Sequence, residues 1–259
     1  MNIYRKANRL RKDIARSIRL LKIKKEDIIL ASYPRSGITW MQFLIANLVK
    51  PDDLEIDFHT VHDIIPEFGR IDDQYQTVIN KKIIKTHATY NRAYKRTIYL
   101  VRDGRDVYVS YYHYRLKQLE EGTTFGDFLR REDHYPCLWK DHIQSWYDAG
   151  LPEEDFLVIR YEDILEDARQ EVRKIANFIG MQASAEDIQQ AIDKSSFERM
   201  KKIDQTKGRK YNLTKTNKFV RKGKAGSWRD EFSPEDIAYF KETAGETLIQ
   251  LGYEQDLNW

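Results

Sequence analysis

Short continuous apolar runs alternate along this chain with longer stretches of helical spacing. Ile28-Ile29-Leu30-Ala31, Lys82–His87 around Ile83 and Ile84, Thr97–Val101 and Phe156–Ile159 are brief and dense in Ile, Val, Leu and aromatic residues. Each predicts a buried strand. Trp40–Val49 is apolar on nearly every side and predicts a buried helix. Further helices are predicted over 107–119, for a turn or two near 125–129, and over 138–147, where Leu138, His142, Ile143 and Trp146 share a face. Others follow over 168–179, stopped by Gly180, over 185–193 and over 196–202. The last starts at the cap signature Ser233-Pro234-Glu235 and runs to about residue 251.

Three stretches lack this alternation. Residues 51–80 are broken by Pro51, Pro66 and Gly69 and predict loops and short helices. Residues 203–226 are basic, polar and turn-rich, which predicts a lid-like loop. Residues 1–24 place Ile3, Ala7, Leu10, Ile14, Ile18 and Leu21 at helical spacing among Arg and Lys. The resulting basic amphipathic helix suits a domain edge or an anionic membrane surface.

Strands alternating with helices predict an α/β fold: a central parallel sheet with helices on both faces, in a single domain over 1–259. Ligands of such sheets bind beyond the strand C-termini. The loop 33–39, His87, Arg102 and Tyr161 all fall there, so four chemically unusual sets of residues converge on one edge.

Composition narrows the partners. The formal net charge is +3, too small for a general polyanion binder, and no nucleic acid is expected. The cations are clustered, however: residues 1–25 hold ten Lys or Arg against Asp13, and residues 201–229 hold eleven against Asp204. Cys137 is the sole cysteine, which excludes an internal disulfide and fits a reducing, cytoplasmic setting. His59, His62 and Asp63 have metal-like spacing but no third strong ligand nearby, so no metal is expected.

Ser32-Tyr33-Pro34-Arg35-Ser36-Gly37-Ile38-Thr39-Trp40 joins the first strand to the first helix. A strand-to-helix turn aims free backbone N–H groups at one spot with the helix dipole behind them, which makes an anion site suited to phosphate. It is not the G-x-x-x-x-G-K-[ST] loop of ATPases. A plain turn, an ATP-dependent P-loop phosphotransferase and a non-catalytic nucleotide- or membrane-binding module all remain open at this point.

Tyr33–Trp40 resembles the 5′-phosphosulfate loop of the sulfotransferases that use 3′-phosphoadenosine 5′-phosphosulfate (PAPS), a family with a P-loop, nucleotide-kinase-like fold. Tyr99–Ser110, with Arg102 and Ser110 eight apart, resembles its 3′-phosphate segment. Arg160-Tyr161-Glu162-Asp163 resembles its Tyr-Glu-Asp segment, and Arg221–Arg229 its Arg-Lys-Gly…Gly-x-Trp-Lys motif. Lys85-Thr86-His87 matches as well. Four motifs in the right order, over residues 27–240, are specific where one is not.

The resemblance implies sulfuryl transfer from PAPS to an acceptor hydroxyl or amine, in line, leaving adenosine 3′,5′-bisphosphate (PAP). His87 would be the general base, and Arg35 and Lys85 would stabilise the transferring group and the leaving oxygen. Arg35, Ser36, Gly37, Ile38, Thr39 and Trp40 would hold the 5′ end, and Arg102, Ser110, Arg221, Lys222 and Gly223 the 3′-phosphate. Trp40, Phe197 and Tyr161 would hold the base. The acceptor would be a small molecule, a glycan or a lipid, with Phe58, Phe68, Tyr90, Tyr112 and Phe125 as candidate pocket residues. The chain departs from the family at Arg35, where Lys is usual, at Ile38 for Thr and at Ser227 for Asp. Asp230–Pro234 stands where many cytosolic members carry a dimer segment, so that dimer mode is not expected.

Overall fold

A computed structural model describes residues 17–50, 54–70, 81–208 and 223–259. Four strands form one parallel sheet: β1 (Ile28–Ser32), β2 (Ile83–Thr86), β3 (Arg96–Val101) and β4 (Phe156–Arg160), in the order β2-β1-β3-β4. Ala31 pairs with Thr86 on one side and Tyr99 on the other, and Val101 pairs with Arg160. The chain leaves β1 towards one neighbour and later returns to its other side. In such sheets ligands bind beyond the C-terminal strand ends at the switch point, here the end of β1.

Alternate residues feed two cores. Ile28 and Leu30 of β1, with Ile98 and Leu100 of β3, pack under α1 (Ile38–Val49), α7 (Ala168–Ile179) and α8 (Ala185–Lys194). Ile29 and Ala31, with Tyr99 and Val101, face α3 (Gly104–Arg115), α5 (Trp139–Tyr147) and α10 (Pro234–Gln250). Burial on both faces explains why the strands read as continuous apolar runs. The short helices α2 (Val61–Ile64), α4 (Phe125–Leu129), α6 (Tyr161–Glu166) and α9 (Phe197–Thr206) complete the chain order.

The sequence placed several ends well. Gly180, at φ 79°, stops α7 in the left-handed conformation, and Ser233 and Asp236 form a capping box at α10 ahead of Pro234. Other ends need correction. α1 begins at Ile38 rather than at Trp40, and α3 begins at Gly104 rather than at Val107. Asp103 caps α3, its side chain accepting from Arg105 N, so the helix starts inside the polar segment that follows β3. The short helix α6 was not foreseen.

At the start of the stretch 203–226, predicted as a lid-like loop, α9 continues to Thr206. Residues 209–222 lie outside the described residues. Of the amphipathic helix predicted over 1–24, the described part is helical over 17–21. Leu20 and Ile23 pack on the second core, whereas Ile18 and Leu21 face solvent at 52% and 86% exposure.

Candidate active site

The loop after β1 is tight and unusual. Ser36 N donates to Tyr33 O (3.3 Å), Arg35 takes a φ of 72°, and Gly37 caps α1 at φ 96°. Arg35 is the one non-glycine with positive φ among the described residues. Gly37 has no room for a side chain, since a Cβ there would lie 2.6 Å from Cδ2 of Tyr161. α1 has neither a side-chain cap nor an acid in its first turn, so its positive end is left for an incoming anion. Ser36 Oγ is buried there without a hydrogen-bond partner. A buried unpaired hydroxyl beside uncapped amides is costly unless a ligand supplies the acceptor. This loop therefore fits a phosphate group.

The turn after β3 supplies the second anion position. Arg102 is 8% exposed, with its guanidinium 4.6 Å from the centroid of the Tyr161 ring. It donates to Arg35 O (3.3 Å) and Lys224 O (3.0 Å), and one Nη lies 3.6 Å from Asp106 Oδ2. Its Nε is buried without a partner. Two turns along α3, Ser110 Oγ accepts from Arg35 Nε at 3.3 Å, and the Arg35 guanidinium covers the Tyr114 ring at 4.6 Å. Arg35 thus reaches from the phosphate loop to Ser110 and joins the two positions that the sequence assigned separately to the 5′ and 3′ ends.

The base-binding candidates line the same edge. Trp40 Nε1 donates to Ser195 O (2.9 Å), and its ring meets Tyr161 edge-on at 5.6 Å. Gly223, at φ 61°, lies so close to the Phe197 ring that a Cβ would come within 2.6 Å of it. The structure thus brings Ser36, Gly37, Arg35, Arg102, Ser110, Tyr161 and Trp40 together, with Gly223 against Phe197. Thr39 is half-buried in the first turn of α1. The Ile38 side chain is 4% exposed and belongs to the first core, so it offers the site only its backbone. Arg221 and Lys222 lie outside the described residues.

His87 follows β2 at the same sheet edge. Its Nδ1 lies 2.9 Å from Ser32 O, and a carbonyl only accepts, so Nδ1 carries the proton and Nε2 presents a lone pair. Burial, then Lys85, with smaller contributions from His142 and Arg35, together push the imidazole pKa down to about 3 against the opposing Ser32 bond. The ring is therefore neutral throughout the physiological range. Lys85, on β2, is 8% exposed.

Sequence reasoning missed what holds His87. His142 is fully buried on α5, and its Nε2 donates to His87 O (3.2 Å) and Ala88 O (3.0 Å), while Tyr99 OH donates to its Nδ1 (2.8 Å). Trp146 Nε1 donates to Ala88 O as well (3.2 Å). The shared face of His142 and Trp146 was legible, but its target was not. Of the acceptor-pocket candidates, Phe58 packs on Phe43 at 4.9 Å in the first core and is excluded. Phe68 and Phe125 are likewise buried in the second core, whereas Tyr90 and Tyr112 are partly buried against it.

A strand switch point with an uncapped helix, two orphaned polar groups and a neutral imidazole beside it fits a nucleotide-dependent group transferase. The Sulfotransferase domain family matches residues 25–252, and the chain belongs to that family. It is 31% identical to Sulfotransferase 1B1 of Canis lupus familiaris, over 87% of this chain and 86% of that protein. It is 29% identical to Sulfotransferase 1E1 of Mus musculus, over 81% and 79%. Among solved structures it resembles mouse sulfotransferase SULT7A1 complexed with PAP, with a TM-score of 0.69 and 25% identity over 87% and 84% of the two chains. The chain is accordingly a sulfotransferase with the P-loop-like fold of that family.

Proposed function

We propose that this sulfotransferase takes its sulfuryl group from PAPS and delivers it to the hydroxyl of a small apolar molecule. The observation that carries this reading is the gathering of Ser36 Oγ, Arg102 Nε and His87 at one sheet edge, two orphaned donors and one base. The amides of the Arg35–Thr39 turn and Ser36 Oγ hold the 5′-phosphosulfate. Arg102 and Ser110 take the 3′-phosphate, while Tyr161, Trp40 and Phe197 hold the adenine. Arg221, Lys222 and Gly223 close over the nucleotide.

His87 Nε2 receives the acceptor proton as the acceptor oxygen bonds to sulfur and the bridging S–O bond breaks. Lys85 and Arg35 stabilise charge on the sulfonate and on the departing PAP oxygen. Arg differs from the usual Lys in being planar and permanently charged, so Arg35 acts as a fixed donor and not as a proton source. A metal has no role in this scheme.

The partly buried Tyr90 and Tyr112, which pack against the second core, favour an aromatic or lipid-like acceptor over a glycan. We place the enzyme in the cytoplasm. The lone Cys137 supports this, as does similarity to a zebrafish protein named Cytosolic sulfotransferase 1, 24% identical over 87% of this chain. A mass-detected screen with PAPS across phenols, sterols, amines and glycans tests the proposal. Phenols or sterols are expected to be sulfated fastest; sulfate found only on glycans would overturn the choice of acceptor.

A further inference from the structure

Arg102-Asp103-Gly104-Arg105-Asp106 carries two cations, of which the resemblance assigned only Arg102 to the 3′-phosphate. The structure separates them. Arg105 is 2% exposed and spends its donors internally: Nε and Nη2 on Asp103 (3.0 and 2.7 Å), and Nη1 on Glu254 (2.5 Å). Two indole rings pack around its guanidinium, with the Trp228 centroid at 4.0 Å and the Trp259 centroid at 4.3 Å. Burial opposes its charge, but the two carboxylates outweigh burial and hold its pKa above the usual value. Arg105 is therefore held by Asp103 and Glu254 inside the fold rather than presented at the surface.

Residues 252–259 make the other half of this arrangement and touch three separate pieces of the nucleotide site. At the end of β4, Arg160 donates to Gly252 O (3.4 Å) and covers the Tyr253 ring at 4.3 Å. Tyr253 OH donates to Glu162 Oε2 (2.8 Å), and Glu162 Oε1 accepts from Asp103 N (3.2 Å). Glu254 holds Arg105. Trp259 packs edge-on against Trp228 at 5.7 Å.

These contacts set where α3 begins, because Asp103 is both its cap and the partner of Arg105. α3 carries Ser110, and Asp106 on its first turn accepts from Gly226 N (2.7 Å), Ser227 Oγ (2.9 Å) and Trp228 N (3.0 Å). One short segment thus ties together the 3′-phosphate turn, the Tyr161 segment and the root of the Gly223–Trp228 loop.

We infer that residues 252–259 brace the 3′-phosphate pocket, with Glu254, Tyr253 and Trp259 acting through Arg105 as positioning residues. Their function is selectivity for a nucleotide carrying a 3′-phosphate. Rigid supporting shells hold charged ligands at productive distances, and loosening them costs affinity for the group they position and not for the ligand as a whole. The inference rests on Arg102 and Ser110 being the 3′-phosphate ligands.

Calorimetry of the full chain with PAP, and with AMP by competition against PAP, tests it. AMP shares everything but the 3′-phosphate. Trp259→Ala and the milder Glu254→Gln are expected to weaken PAP about tenfold while AMP stays within about twofold. Equal loss for PAP and AMP would mean a purely structural role and would overturn the inference, as would unchanged selectivity in both variants. If the unaltered chain itself binds PAP no better than AMP, the 3′-phosphate reading fails first, and the brace has no function to serve.

Discussion

Replacing His87 with alanine is expected to lower turnover by roughly 10²–10⁴-fold while affinity for PAP changes by less than about twofold. The asymmetry follows from geometry. Nδ1 is committed to Ser32 O, which leaves Nε2 as the one ring atom able to take a proton, and no nucleotide-binding contact in this account passes through the ring. Steady-state kinetics on the fastest acceptor from the screen, together with calorimetry, make the comparison. Turnover surviving at more than about a tenth of its original value would remove His87 as the base.

The pH profile gives an independent reading. With its pKa lowered to about 3, His87 is already deprotonated at every ordinary assay pH, so kcat/KM has no acid limb from this group near the usual ~6.5. Lys85 and Arg35, which contribute to the depression, are the cations a phosphosulfate would neutralise. Bound nucleotide therefore raises the proton affinity of the ring towards the value a useful base needs. The same shift is linked to stability. His87 and His142, lowered to about 3 and about 4, stay neutral when folded and would bind protons if unfolded. Their contribution is full above pH ~6.5 and is lost as pH falls from there through the folded values.

Arg102→Ala is expected to weaken PAP by about a hundredfold and AMP only slightly. Two charge-assisted hydrogen bonds at roughly 1.5–3 kcal/mol each give about 10²–10⁴-fold, and a hundredfold is the lower end of that range. Part of the loss comes from the protein itself, because Arg102 also ties Arg35 O to Lys224 O. Arg102→Lys separates the two effects. It keeps a point charge but not the planar fork, so PAP affinity is expected to fall between that of the unaltered chain and that of Arg102→Ala. Calorimetry showing AMP weakened as much as PAP would place Arg102 at the 5′ end or in the scaffold.

Most of the architecture was legible because burial on both sheet faces leaves a simple mark: a few consecutive apolar residues, then a polar turn. The site was legible for a related reason, since polar groups stand out at the ends of such runs. Contacts that depend on a side chain's direction were not legible. Arg102 stands in the turn ahead of α3 and Arg105 in its first turn; the resemblance picked out Arg102, but nothing in the sequence showed Arg105 buried against Asp103 and Glu254. Ile38 sits in the phosphate loop, but helical geometry turns it into the first core. His142 reaches the His87 peptide across 55 positions, and Glu254 reaches Arg105 across 149. Nothing local announces either pairing. Arg35 is the sharpest case: its substitution for Lys was visible, but not its left-handed φ or its bond to Ser110.

The central claim is a nucleotide clamped by phosphates at both its 5′ and 3′ positions. A calorimetric titration of the unaltered chain with PAP and with ATP tests it most directly. PAP is expected to bind at least about a hundredfold more tightly, because Arg102 and Ser110 have no partner on ATP. ATP binding as tightly as PAP, or more so, would contradict the account.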